Sequence, residues 1–216
     1  GICHLEDIQK LCEEAIEYET ASVCIPPCYI KRVHDTYGEK INICTVVGFP
    51  LGYSVTEAKA AETKKALEDG ASEVDMVVNI SDVKNGNYDA VQAEIAALKK
   101  ITGDKILKVI IETCYLTEEE KIAMCKAVTA AGADYIKTST GFGTAGATLE
   151  DIRLFRENIG PDVKMKAAGG VKTVADMEAF LEAGCDRIGT SSAISTDSGR
   201  TDQWILRRRR HEKEKS

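Results

Sequence analysis

Lys137 closes the short β-rich run Asp134-Tyr135-Ile136-Lys137 and opens a polar, glycine-containing loop, Thr138-Ser139-Thr140-Gly141-Phe142. Side chains alternate along a strand, so Tyr135 and Lys137 share one face and Ile136 takes the other. A lysine is expensive to bury, so one at the rim of a core is either a snorkelling surface residue or a working amine. Lys166 ends the adjacent strand, and Asp75 sits at the matching place of another. A second cation beside Lys137 disfavours its protonation, so part of it is expected as free amine near neutral pH. A free amine condenses with a carbonyl, and the resulting iminium is an electron sink that lets a neighbouring C–C bond break or form. Asp75, through a water, would move the proton this requires. An ordinary internal ion pair among the three is the alternative, and it would perturb the same groups.

These side chains need a frame. Apolar residues Leu5, Ile8, Leu11, Cys12, Ala15 and Ile16 recur at helical spacing in a first helix ending near Tyr18. Strands are expected at 21–25, 41–47, 73–78, 107–111, 134–137, 163–167 and 187–190, with helices at 29–37, 56–69, 88–101, 118–131, 148–159 and 173–183. Thr56 reads as an N-cap and Thr117 with Glu120 as a capping box, while Gly70 and Gly132 end their helices. Strands and helices alternate throughout, the signature of βα units around a parallel sheet.

An internal repeat selects the sheet. Gly70-Ala71-Ser72-Glu73-Val74-Asp75, Gly132-Ala133-Asp134-Tyr135-Ile136-Lys137 and Gly184-Cys185-Asp186-Arg187-Ile188-Gly189 share one form, with a weaker copy, Glu19-Thr20-Ala21-Ser22-Val23-Cys24, carrying glutamate in place of glycine. The copies fall on alternate strands, and an eight-stranded barrel takes each interior layer of four side chains from alternate strands. Cys24, Asp75, Lys137 and Gly189 are therefore expected in one layer of a (β/α)8 TIM barrel; a doubly wound open sheet is the other architecture such grammar allows. Only seven strands are found, so closure would need one before Gly1. The domain is set at 1–194 and a charged, flexible tail at 195–216. Phosphate sites in such barrels lie in the last two βα loops, here Gly169-Gly170 and Gly189-Thr190-Ser191-Ser192, where helix N-termini would add partial positive charge.

Composition narrows the class. The 216 residues are 44% hydrophobic and 29% charged, with a net charge of −7, which argues against a general nucleic-acid binder; the block Arg207 to Arg210 reads as solvated. No run is apolar enough to span a membrane and no signal peptide opens the chain, so a soluble, cytoplasmic protein is expected. Eight scattered cysteines suit reduced thiols, and with no C-x-x-C pair and three histidines far apart, no zinc site is expected.

The motifs around Lys137, together with Val74-Asp75-Met76-Val77-Val78-Asn79, Ile110-Ile111-Glu112-Thr113-Cys114-Tyr115-Leu116, Lys166-Ala167-Ala168-Gly169-Gly170-Val171 and Arg187-Ile188-Gly189-Thr190-Ser191-Ser192, resemble the deoxyribose-phosphate aldolase family in order from about Leu5 to Ser192. The resemblance implies a class I aldolase splitting 2-deoxy-D-ribose 5-phosphate into acetaldehyde and glyceraldehyde 3-phosphate without metal or cofactor. It implies the Schiff base on Lys137, a tuning and relaying amine on Lys166 and an acid/base carboxylate on Asp75. Substrate and phosphate contacts would come from Thr138, Thr140, Gly141, Gly169, Gly170, Gly189, Ser191 and Ser192, and the family's reactive-site cysteine matches Cys24. Partners would be phosphorylated sugars and aldehydes, and a homodimer or higher homo-oligomer is open to it. The family's opening strand is absent before Gly1, its final helix is unmatched in 195–216, and Lys164 stands where glycine is usual. A catalytically impaired sugar-phosphate-binding barrel is the competing reading; a nucleic-acid-binding tail on an inert scaffold is a third.

Overall fold

The computed structural model describes residues 4–190; Ser191, Ser192, the 194/195 domain boundary and the Arg207 to Arg210 block lie outside them. Among the described residues seven strands form one parallel sheet whose spatial order is the chain order. They are β1 (Val23–Cys24), β2 (Ile43–Val47), β3 (Glu73–Val77), β4 (Ile106–Ile110), β5 (Tyr135–Lys137), β6 (Lys164–Ala168) and β7 (Arg187–Gly189). The helices are α1 (Leu5–Glu17), α2 (Ile30–Tyr37), α3 (Thr56–Glu68), α4 (Ile80–Lys84), α5 (Tyr88–Thr102), α6 (Glu118–Ala130), α7 (Leu149–Asn158) and α8 (Val174–Glu182). The short α4 was not foreseen; Asn79 starts it by accepting a hydrogen bond from the Ser81 amide at 3.1 Å.

The sheet is curled. In a flat sheet β3 and β7 would lie roughly 19 Å apart, four spacings of about 4.8 Å. Instead Arg187 of β7 donates to Glu73 of β3 at 2.6 and 2.7 Å. Curvature of that degree is barrel geometry, which decides against the open sheet.

Alternation divides each strand between two environments. Val74, Met76, Leu107, Val109, Ile136, Met165 and Ala167 point outward and pack with Ile95, Leu98, Met124 and Phe155 of the surrounding helices. A second cluster joins Ile8, Cys12 and Ala15 of α1 and Ile30 and Val33 of α2 to Val23 and Ile43. The apolar core therefore lies between sheet and helices, which leaves the inward positions free for charge.

The repeat recognised in the sequence is a turn device. Gly70, Gly132 and Gly184 adopt φ of +110°, +73° and +112° after their helices, the left-handed region that admits glycine without penalty. Glu19, in the fourth copy, holds φ +49° despite its side chain. Thr117 and Glu120 make the expected reciprocal cap of α6. Thr56 does not cap α3: Val55 is the N-cap, and the Thr56 hydroxyl turns to Glu94 at 3.1 Å.

That exchange serves a buried ion pair. Lys59 of α3 is fully buried, its ammonium donating to Glu94 of α5 at 2.8 Å and to the Val77 carbonyl at 2.9 Å. Glu94→Ala would strand this cation, and the expected cost is about 3 kcal/mol, read as a lower urea midpoint with an unchanged slope.

Candidate active site

The barrel interior is a stack of charged layers. Ser22, Glu73, Tyr135 and Arg187 hold one offset of the repeat and meet: Ser22 donates to Glu73 at 3.1 Å, and Arg187 reaches Glu73 and lies 5.2 Å from the Tyr135 ring centre. Cys44, Lys108 and Lys166, from the even strands, come next. Cys24, Asp75, Lys137 and Gly189, two residues on in the repeat, form the layer expected from sequence. An added Cβ on Gly189 would come within 3.3 Å of Lys166 Cε, so this glycine leaves room for that side chain.

Asp75 is the hub. It is fully buried; Oδ2 accepts from Lys137 at 2.8 Å and Lys166 at 3.1 Å, while Oδ1 accepts from Lys108 at 2.8 Å and the Cys44 thiol at 3.2 Å. Burial pushes its carboxyl up, but the three ammonium groups outweigh it and hold Asp75 well below the usual carboxylate range. Glu73, bound to Lys108 at 2.5 Å and to Arg187, is likewise held low against the opposing effect of burial. Four cations thus share two carboxylates in this connected network.

Lys137 departs from the expected depression. Burial lowers it, yet Asp75 at 2.8 Å outweighs burial and leaves Lys137 above its ordinary value. The second cation, Lys166, is outweighed by the carboxylate oxygen that both ammoniums share, as the internal ion-pair alternative allows.

Glu73, Lys108, Arg187 and Cys44 were missed as site residues, although their signal was present. Lys108 interrupts the apolar run Leu107-Lys108-Val109, and Glu73 and Arg187 each stand two residues before a singled-out position, hence on the same inward face. Lys164 is exposed and stands 5.9 Å from the Tyr135 ring centre, away from Asp75's bonding partners.

The loops beyond β5 and β6 interlock. Glu112, buried and itself left-handed at φ +53°, accepts from the Thr140 amide at 3.1 Å and from the Thr140 hydroxyl. Thr138 is fully buried, and its hydroxyl bridges the Ala168 carbonyl and amide, each at 3.1 Å. Both threonines expected to touch substrate are thus engaged in holding the loops. A Cβ on Gly146 would meet the Gly169 carbonyl at 2.2 Å, so the two loops touch backbone to backbone. Glu112→Ala should free Thr140, at about 1–3 kcal/mol, and speed hydrogen exchange of its amide above that of β5.

The anion cradle is only partly as expected. Gly169 and Gly170 stand at φ +78° and +75°, consecutive left-handed residues just beyond β6, and Gly141 is exposed with open space around it. The N-terminus of α8 is not free for an anion: Asp176 accepts from the Lys172 and Thr173 amides, and Thr173 accepts from the Asp176 amide. Ser139 adds a feature not foreseen, a buried Oγ without a hydrogen-bond partner among the described residues. Its Cβ lies 3.5 Å from where a Cβ on Gly169 would stand.

A curled parallel βα sheet with charged side chains in its interior and glycine turns at the C-terminal strand ends defines a TIM-barrel protein of the enzyme type. The sequence matches the DeoC/LacD family aldolases over residues 2–196, and the chain belongs to that family. It is 72% identical over 198 residues to a deoxyribose-phosphate aldolase of Clostridium botulinum, covering 92% of this chain and 90% of that one. Among solved structures, the aldolase QR15 superposes with a TM-score of 0.85 at 38% identity, covering 94% of this chain and 90% of that one. The tetrameric deoxyribose phosphate aldolase of Aeropyrum pernix gives 0.83 at 31%, covering 89% and 82%.

Proposed function

We propose that this chain reversibly cleaves 2-deoxy-D-ribose 5-phosphate to acetaldehyde and D-glyceraldehyde 3-phosphate through an imine on Lys137. One observation carries the reading: Lys137 and Lys166 converge on a single oxygen of buried Asp75 at 2.8 and 3.1 Å. The same activity in the name of a 72% identical relative supports it.

The steps follow from the charges. Four cations facing two carboxylates favour the arrival of a phosphate ester, while Lys137, held above its ordinary value by Asp75, has to give up a proton before it can attack. Asp75 can give up Lys137 while remaining paired with Lys166 and Lys108, and the freed amine attacks C1 of the open sugar, expelling water. The C3 hydroxyl then gives its proton, by way of a water, to the Asp75–Lys166 pair. As the C2–C3 bond breaks, its electrons flow into the iminium and glyceraldehyde 3-phosphate departs. The remaining enamine takes a proton at C2, and water releases acetaldehyde and regenerates the amine. Lys166 is the donor placed to return that proton, since it shares the oxygen that held Lys137.

Gly141, Gly169, Gly170 and Gly189, with Ser191 and Ser192, are proposed to receive the phosphate, supported by the paired left-handed glycines and the unpartnered Ser139 hydroxyl. The tetrameric relative supports a homo-oligomer, and the free cysteines support a cytoplasmic location. The test compares retro-aldol turnover of deoxyribose 5-phosphate with that of deoxyribose. Turnover is expected with the phosphorylated sugar exceeding the other by about 10²-fold or more in kcat/KM, about 3 kcal/mol of phosphate recognition. Binding of the phosphate ester without turnover would favour the sugar-phosphate-binding barrel.

A further inference from the structure

Cys24 and Cys44 are register partners on neighbouring parallel strands β1 and β2. Strands so paired lie about 4.8 Å apart, inside the Cα separation of about 4.4–6.8 Å that a disulfide accepts. Their sulfurs and an Asp75 oxygen all fall within 4.8 Å of one another. The two thiols differ in setting, Cys24 being exposed and Cys44 fully buried. Cys44 contacts the hub of the site, its thiol 3.2 Å from Asp75 Oδ1 and its sulfur 3.4 Å from the Lys108 ammonium. Such a trio resembles a metal-binding set, but Lys108, Lys137 and Lys166 already donate to Asp75.

We propose that Cys24 and Cys44 are a peroxide-oxidisable dithiol that closes to an intramolecular disulfide and thereby disables the Asp75 cluster. Cys24 is the sulfur that a peroxide meets first. Hydrogen bonding with Cys44 lowers the Cys24 thiol to about 7, which enlarges its thiolate fraction at neutral pH. The thiolate attacks hydrogen peroxide, the O–O bond breaks, and Cys24 becomes a sulfenic acid as hydroxide leaves and is protonated to water. Cys44 sulfur then attacks Cys24 sulfur. The S–S bond forms, the S–O bond breaks, and the Cys44 proton passes by way of Asp75 Oδ1 to the departing hydroxide. Two thiols and one peroxide give one disulfide and two waters. Hydrogen bonding with Cys24, burial and Asp75 together hold the Cys44 thiol well above its ordinary value, with Lys108 opposing them, so Cys44 attacks as its proton is handed to Asp75 Oδ1, 3.2 Å away.

The disulfide removes the thiol donor from Asp75 Oδ1 and ties the edge strand β1 to the hub. Reduction restores both. The effect on turnover rests on the aldolase reading above, whereas formation of the bond does not.

The test treats the full chain with hydrogen peroxide and reads tryptic peptides by mass. Cys24 lies in the peptide ending at Lys31 and Cys44 in that ending at Lys59, so the bond joins two peptides. The expected result is that linked pair, lost on adding dithiothreitol, with retro-aldol turnover falling at least tenfold on oxidation and returning on reduction. In Cys44→Ala the Cys24 sulfenic acid should persist and be captured by dimedone. A Cys24–Cys28 linkage within one peptide, or Cys24 oxidised while Cys44 still alkylates after denaturation, overturns the pair. A linked pair with undiminished turnover overturns the switch. Turnover absent before oxidation would count against the aldolase reading alone, and the peptide masses would still decide the disulfide.

Discussion

Lys137→Met should reduce retro-aldol turnover by on the order of 10⁴-fold or more while leaving the fold intact, because it deletes the group on which the covalent intermediate forms. Methionine nearly matches lysine in length, and removing this ammonium lessens the interior's excess of cations. Asp75 would still be bound by Lys108 at 2.8 Å and Lys166 at 3.1 Å, so no buried charge loses its last partner. The unfolding free energy from urea titration is therefore expected to hold within about 1 kcal/mol. Lost activity with a parallel loss of stability would mean that Lys137 serves the frame, as the internal ion-pair reading has it.

Asp75→Asn should do the opposite to the fold. It removes the anion on which three ammoniums converge, and breaking a buried pair in this way costs about 3–5 kcal/mol. The pH dependence has a definite sign. Asp75 is depressed from 3.8 and Glu73 from 4.5, so their stabilisation is present above those values and lost as pH falls through the folded-state ones. Lys137 is raised from 10.5, so its share is present below 10.5 and lost as pH rises through its folded value. The parent should thus be most stable between about pH 4.5 and 10.5, and Asp75→Asn should flatten both flanks. Burial then acts on Lys137 without the Asp75 charge and hydrogen bond that outweighed it, leaving only the smaller upward pull of Cys24 and Cys44, so the variant's amine should titrate lower than the parent's. Denaturant midpoints across pH, with the pH profile of imine formation in both proteins, check each part. An amine that titrates higher in the variant would contradict the electrostatic account.

Much of this arrangement was legible because two periodicities coincide in the sequence. The glycine-turn-strand repeat at Gly70, Gly132 and Gly184 fixes where strands begin, and period two fixes which residues look inward. Cys24, Asp75 and Lys137 could therefore be placed on one layer before any contact was seen. The same rule applied to Leu107-Lys108-Val109 would have found Lys108, whose ammonium bonds both carboxylates. What sequence could not supply was the sharing of atoms. That Lys137 and Lys166 meet one oxygen reverses the expected direction for Lys137, and that Asp176 fills the N-terminus of α8 removes an expected phosphate donor. Thr138 and Thr140 show a related point: a hydroxyl in a loop motif can serve ligand or backbone, and in this structure the two bond Ala168 and Glu112.

The imine on Lys137 can be caught directly. The protein is incubated with acetaldehyde, reduced with borohydride and digested, and the modified lysine is located by mass. An ethyl group on Lys137, with none on Lys108 or Lys166, is the result predicted; label on Lys166 with Lys137 unmodified would contradict the account.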